Sequence, residues 1–383
     1  MLQLRNQLIF LLCAGLPCAA VYAAPPELTV SEEELKQFPL KSDLPGDPPE
    51  SGVRYWSHPF KSIGIYGAYV TVIQREGALE LWRGSILHKG TNTEGRLTPN
   101  YYTATPSEKV CMVSRGPNLD SLGNGEPRFS SAMINDVFLR DTPTKLSPER
   151  GFSRTHMAWI PGSGYVFYCC VTRGYRPGQE PLSPALFTSP SGARDSWTYR
   201  GKMRGEPLAE AAKRTVWSDG GSIHHLDDGR WRAYINGYGR AASAIESEAL
   251  TGEWTFLRDS SGAIRELLPD LPQGKHGSGV WIHVLRVAAH EWHLWLTDSW
   301  PPQAIWHFSS TDGLDWKPYG LQPEITRLSV GGHGIKCMRT YLDPDTHEIV
   351  GLLSVWTALD DRSPNWVLHR TRMPTGLQPT AQD

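Results

Sequence analysis

Five pairs of apolar runs, each pair split by a tight polar turn, recur along this chain at a nearly constant interval. The pairs are Tyr66–Ile73 with Leu79–Trp82, Thr155–Ile160 with Tyr165–Val171, Ser222–Leu226 with Trp231–Ile235, Gly279–Val287 with Trp292–Leu296, and Lys336–Leu342 with Ile349–Val355. Turns such as Pro161-Gly162-Ser163-Gly164 and Asp227-Asp228-Gly229 mark them as β-hairpins. Their turn centres step by 87, 65, about 60 and about 56 residues. A second marker keeps the same interval: a strand, a glycine-containing turn, then a tryptophan that starts another strand. It occurs at Ser191–Trp197, Ala249–Trp254 and Ser310–Trp316, with tryptophan-to-tryptophan steps of 57 and 62. Two independent markers with one period define an internal repeat.

Four short antiparallel strands fit one period of about 60 residues, which is a propeller blade. One four-stranded sheet cannot cover both of its apolar faces, so blades stack into a closed ring. The expected fold is therefore all-β, a five-bladed β-propeller of four-stranded antiparallel blades over residues 53–377. The long first step implies an insertion within Ser107–Arg150, which is rich in Pro, Gly, Asn and charge; such insertions often become rim loops. The 15 tryptophans and 14 tyrosines suit this wide layered packing. Trp197, Trp254 and Trp316 share one recurring position, and are expected to pack between blades.

Residues 1–23 read as a signal peptide, with Arg5 before an apolar stretch from Leu8 to Ala20 and small residues near Ala23. Cleavage there leaves 360 residues and a periplasmic or secreted protein. Residues 24–52 form a Pro- and acid-rich lead in which Ser31-Glu32-Glu33-Glu34 caps one short helix. Residues 378–383 are a tail. No other run is long and apolar enough for a transmembrane helix. A formal net charge of −2 gives no basic field for nucleic acid. A monomer is expected. Four cysteines remain after cleavage, Cys111, Cys169, Cys170 and Cys337; they permit disulfides or buried free thiols, with no CxxC pair for a zinc ribbon or redox site.

Three segments resemble the five-bladed glycosidases of the arabinanase, β-xylosidase and invertase clan. Ser218–Trp231 looks like the blade that opens with an acidic residue and turns at Asp-Asp-Gly. Gly331-Gly332-His333-Gly334 is similar to the Gly-His-Gly opening of the last blade in the arabinanase and xylosidase branch. Glu246–Trp254 looks like the clan's outer-strand turn ending in Gly-x-Trp. The likeness spans about residues 60–373. It implies that site residues project from the first turns of the inner strands around the propeller axis. On that pattern Asp219 matches the carboxylate that orients the general acid.

Inverting hydrolysis needs an acid and a base across the scissile bond, with room for water. Here the resemblance departs. The stretch expected to open the first blade with an Asp is Gly64–Tyr69, where Tyr66 or a neighbour stands instead. The stretch expected to open the fourth with a Glu is Lys275–Gly279, where His276 is nearest. Histidines replace the acids: His156 in the second blade, His224 and His225 in the third, His276 in the fourth, His333 in the fifth. Asp219, His276 and Tyr66 are the catalytic candidates, since imidazole transfers protons near neutral pH. Arg154, His156, His333 and Trp300 are the substrate-binding candidates. Arg154 and Lys336 suit an anionic sugar. Trp56, Trp300 and Trp356 are stacking candidates. His224 and His225 point to opposite faces of a strand, so at most one joins the pocket. Glu126, Asp136 and Asp298 are more simply solvated or turn residues. Several neutral imidazoles can also hold a divalent cation such as calcium, the one cofactor this set leaves open. Three readings remain: a glycoside hydrolase, a polysaccharide lyase using Tyr66 and a histidine, and a non-catalytic glycan-binding propeller.

Overall fold

A computed structural model describes residues 56, 61–66, 68–88, 94–95, 107–123, 125–130, 152–171, 183–207, 221–235, 242–268, 281–297, 304–319, 324–326, 330, 334–356 and 366–376. These residues form five antiparallel sheets, each built on four strands, three of them extended by a two-residue strand. The expected propeller is present, and all five hairpins lie where the repeat places them.

Blade I runs outward through Ala68–Arg75, Ala78–His88, Ser107–Gly116 and Glu126–Ser130. Blade II uses Phe152–Ile160, Gly164–Val171, Ser183–Ser189 and Thr198–Lys202. Blade III uses Ile223–His225, Trp231–Ile235, Ser243–Ser247 and Glu253–Phe256, with Arg204–Gly205 added in parallel at its edge. Blade IV uses Trp281–Ala288, Glu291–Thr297, Ala304–Ser310 and Lys317–Pro318, with Ile325–Thr326 also on its third strand. Blade V uses Gly334–Leu342, Glu348–Trp356 and Trp366–Pro374, and takes its outer strand from the start of the ring, Lys61–Tyr66.

That closure corrects one expectation. Tyr66 does not open the first blade. It ends the outer strand of blade V, paired with Val367, just before the chain enters blade I at Ala68. The first part of the expected insertion is strand, and residues 131–150 of it lie outside the described residues. Ser107–Gly116 and Glu126–Ser130 are ordinary outer strands of blade I, joined through a single 3-10 turn at Leu119–Ser121. The polar stretch that reads as a loop is a short connection capped by Asn118, whose side chain accepts from the Ser121 N–H. Glu126 therefore sits on an edge strand, exposed and beside Arg128. The short helix expected at Ser31–Glu34 lies outside the described residues.

Five apolar clusters fill the five seams between blades. Trp197 lies in the I–II seam and Trp254 in the II–III seam, both buried. Trp316 packs half-buried against the III–IV seam. Each of these tryptophans follows a turn opened by a serine that binds within the turn: Ser189 Oγ accepts from Gly192 N–H, Ser247 Oγ donates to Ala249 O, and Ser310 Oγ accepts from Gly313 N–H. In the third turn Gly313 has φ +74°, and an added Cβ would stand 2.5 Å from the Tyr234 hydroxyl. That close approach lets Tyr234 of blade III donate to the Gly313 carbonyl at 2.9 Å. The tryptophan turn is thus a clasp between blades as well as a strand connection.

Cys111 and Cys337 are buried free thiols, and Cys169 is buried as well. Burial raises the Cys111 thiol far above its ordinary value, so it is not a reactive thiolate.

Candidate functional site

The innermost strands of the five blades are tied to one another by a belt of side chains. Thr71 of blade I accepts the Met157 N–H of blade II at 3.1 Å. His156 of blade II accepts the Ile223 N–H of blade III through Nδ1 at 3.4 Å. Ser222, at the head of blade III's inner strand, accepts the Val284 N–H of blade IV at 2.8 Å. His283 of blade IV meets the Thr340 carbonyl and hydroxyl of blade V through Nε2, at 3.1 and 3.0 Å. Arg339 of blade V donates back to the Ile282 carbonyl at 2.9 Å. Residues 71, 156, 222, 283 and 339 follow the hairpin spacing, so one repeat position makes the stitch in every blade.

This belt is dry. His156, His283, Ser222 and Arg339 are all buried. Desolvation holds His156 and His283 well below the ordinary imidazole value, reinforced at His156 by His224 and Arg339 and at His283 by Arg339 and His156. His224 is lowered to about 3, chiefly by desolvation and then by Arg286 and Arg232. All three are therefore neutral at pH 7. Their rings are separated by 6.0 Å (His156 to His283) and 6.4 Å (His156 to His224). Among the described residues no group of three His, Cys, Asp or Glu is placed to hold a metal ion. His224 faces Tyr234 and Trp292, whereas its neighbour His225 packs against Trp231, so the two do point to opposite faces.

The sequence candidates fall mainly where the chain enters or leaves these inner strands. His156 is the one whose side chain is described, and it is a belt member with 7% exposure. Tyr66 and Arg154 are described by backbone only: Tyr66 ends the strand that precedes blade I, and Arg154 lies two residues ahead of His156. Asp219, His276, His333 and Trp300 lie outside the described residues. So do Asp136 and Asp298. Trp56 is buried against Trp295 with ring centroids 6.1 Å apart, which leaves it no sugar-facing surface.

One described residue bears on how Asp219 is presented. Gly221 passes so close to blade III's second strand that an added Cβ would stand 1.4 Å from the Tyr234 carbonyl oxygen. Only glycine allows that approach. It fixes the line of entry into the inner strand two residues after Asp219, and Ser222 then locks it by accepting from Val284.

Sequence reasoning missed His283 and Arg339. Both sit inside apolar strands, Trp281–Ala288 and Gly334–Leu342, where a lone polar residue gives no local signal. The repeat itself held the clue, since both stand at the position of His156.

No family model matches the chain, and no curated protein matches it by sequence. Its fold, by contrast, has counterparts among solved structures. A thermostable family-43 glycoside hydrolase superposes with a TM-score of 0.52 at 13% identity, covering 86% of this chain and 98% of that one. The fold is that of the five-bladed glycoside hydrolases. A family-43 β-1,3-galactosidase in complex with galactodeoxynojirimycin gives 0.53 at 12% identity, over 85% and 96% of the two chains. Fructan 1-exohydrolase IIa from Cichorium intybus gives 0.51 at 10% identity, over 84% and 57%. Identities this low establish the shared architecture. Among the described residues no helix is long and apolar enough to cross a membrane.

Proposed function

We propose that the protein is an exported, glycoside hydrolase-like enzyme that cleaves glycosidic bonds at the end of the propeller where the five inner strands begin. The observation that carries the reading is coverage. Nearly the whole ring matches nearly the whole of two family-43 enzymes, one of them solved with a galactose-like inhibitor. Fold alone does not specify chemistry. The sequence adds a set of polar residues: Asp219, His276 and His333 ahead of the inner strands of blades III, IV and V, and Tyr66 at the end of the strand that precedes blade I.

In this reading Asp219 is the carboxylate that orients and tunes the proton donor, and His276 takes the proton-transfer role that a carboxylic acid holds in the resemblance. His333, Arg154 and Trp300 bind the sugar. His156 supports the floor from the belt: its neutral ring and occupied Nδ1 suit it to position neighbours rather than to carry a proton at pH 7. One neighbour is a β-1,3-galactosidase and another a fructan 1-exohydrolase, so in this reading the sugar is set by the blade openings rather than by the ring. In this reading residues 1–23 are a signal peptide, and the activity belongs to the periplasm or the outside of the cell.

The test is product analysis on a panel of plant, algal and microbial polysaccharides. The proposal predicts new reducing ends without the ultraviolet absorbance of an unsaturated uronate. That absorbance would replace the hydrolase with a lyase. Glycan binding with no bond cleavage would leave a binding module.

A further inference from the structure

On the face of blade IV that turns toward blade V, four titratable side chains join end to end. Glu291 Oε1 lies 3.2 Å from His293 Nε2. His293 Nδ1 lies 3.0 Å from His307 Nε2. His307 Nδ1 lies 2.9 Å from Glu324 Oε2. This last contact is short but poorly aligned, and neither Glu324 oxygen has a well-directed hydrogen-bond partner. His293, His307 and Glu324 are 1%, 3% and 8% exposed. His307 lies between the rings of Tyr319, 3.9 Å away and 8° from parallel, and Trp295, at 4.7 Å and 15°. Only Glu291 reaches solvent, and it also accepts the Gly376 N–H that follows the third strand of blade V.

Hydrogen accounting then constrains the chain. Three contacts at these lengths each need one hydrogen, because two facing lone pairs in a dry interior repel. Two neutral imidazoles bring one N–H each. Two carboxylates bring none. One contact is left without a hydrogen unless the chain takes up a further proton.

We propose that Glu291, His293, His307 and Glu324 together hold three protons at neutral pH, one more than two neutral imidazoles carry, and that this proton completes the chain on this face of blade IV. The group then has one net negative charge, which sits best on Glu291, the member nearest water. The bond from His293 holds the Glu291 carboxyl below the usual carboxylate range. Burial holds His307 below the ordinary imidazole value, with the Glu324 carboxylate opposing it. The charged groups acting on Glu291 and His307 are the chain's own members. The packed elements bring Tyr319 against His307, and His283 across the other side of Trp295. On blade V, Arg372 is taken up by Asp343 and Glu348.

In the unfolded chain above about pH 7 both carboxyls are ionised and both imidazoles neutral, so two protons are bound. Folding therefore takes up one proton, and the folding equilibrium constant falls about tenfold for each unit of rising pH. Glu324→Gln is the decisive variant. Its amide donates to His307 Nδ1 permanently, the two imidazole hydrogens serve the other contacts, and no extra proton is required. The experiment is denaturant unfolding of the full chain in weakly buffered solution between about pH 7 and 8, with an indicator dye counting protons. Wild type is expected to release one more proton per molecule than Glu324→Gln, and the variant to fold. Equal release from the two proteins overturns the proposal. So does failure of Glu324→Gln to fold, since it supplies the hydrogen that the chain is said to need.

Discussion

The belt position on the inner strands and the segments that lead into those strands are a few residues apart, yet they do different work. At one repeat position, side chains tie neighbouring blades together: Thr71, His156, Ser222 and His283 each reach forward to the next blade, and Arg339 reaches back from blade V to blade IV. At the starts, the residues differ from blade to blade, with Tyr66 ahead of blade I, Asp219 ahead of III, His276 ahead of IV and His333 ahead of V. A ring can vary its openings because its belt does not rest on them. The same residue type illustrates the contrast. A histidine at the belt is dry, neutral and bonded to backbone, as His156 and His283 are. In the proposed function, a histidine at an opening moves a proton.

The largest expected effect separates the two regions by activity. His276→Ala is predicted to lower glycoside cleavage by about a hundred- to ten-thousand-fold, the usual span for loss of a proton-transfer group, with an unchanged unfolding midpoint. Undiminished turnover by that variant would remove His276 from the chemistry. Next in size is the acid response of the belt. His156 and His283 are neutral in the fold, with their protonation depressed by burial. Unfolding lets them take up protons below an imidazole's ordinary value. Stability is therefore fully present above about pH 6.5 and is lost as pH falls, by roughly 3 kcal/mol for the pair at about pH 5.5. His224, lowered to about 3 chiefly by burial, acts in the same direction. Urea titrations across that range measure the slope; a flat profile would mean the imidazoles are not held neutral.

Single belt deletions come next. His283→Ala leaves Thr340 without its partner and opens a void, at a cost of roughly 2–4 kcal/mol, and it removes about half of the acid response. Ser222→Ala leaves the Val284 N–H buried without an acceptor and costs about 1–3 kcal/mol. Both should retain the activity per folded molecule of wild type to within a few-fold. A loss of turnover in Ser222→Ala equal to that in His276→Ala would erase the distinction between belt and opening.

Much of this ring was legible because its signals are local. Alternating apolar runs and glycine turns located all five hairpins to within a few residues. The tryptophan turns marked the outer strands and predicted buried Trp197 and Trp254. The closure was not legible, because Lys61–Tyr66 pairs with Trp366–Pro374 across almost the whole chain, and nothing near Tyr66 records that partner. The polar stretch around Leu119–Ser121 misled for the opposite reason: its composition is that of a rim loop, while its job is a short strand connection. Buried polar residues escaped notice for a third reason. Glu80 looks like a surface residue in sequence, yet it is buried and accepts from the Tyr165 hydroxyl at 2.6 Å and the Trp82 indole at 3.0 Å. Sequence alone does not reveal which polar residues have such partners.

The most direct test of the division between belt and openings sets Asp219→Asn beside Ser222→Ala, three residues apart on one strand entry. Turnover per folded molecule and the unfolding midpoint are measured for both. The account predicts that Asp219→Asn loses most of its activity at an unchanged midpoint, while Ser222→Ala keeps its activity at a lowered one. Full activity in Asp219→Asn, or a collapse of its midpoint, would contradict it.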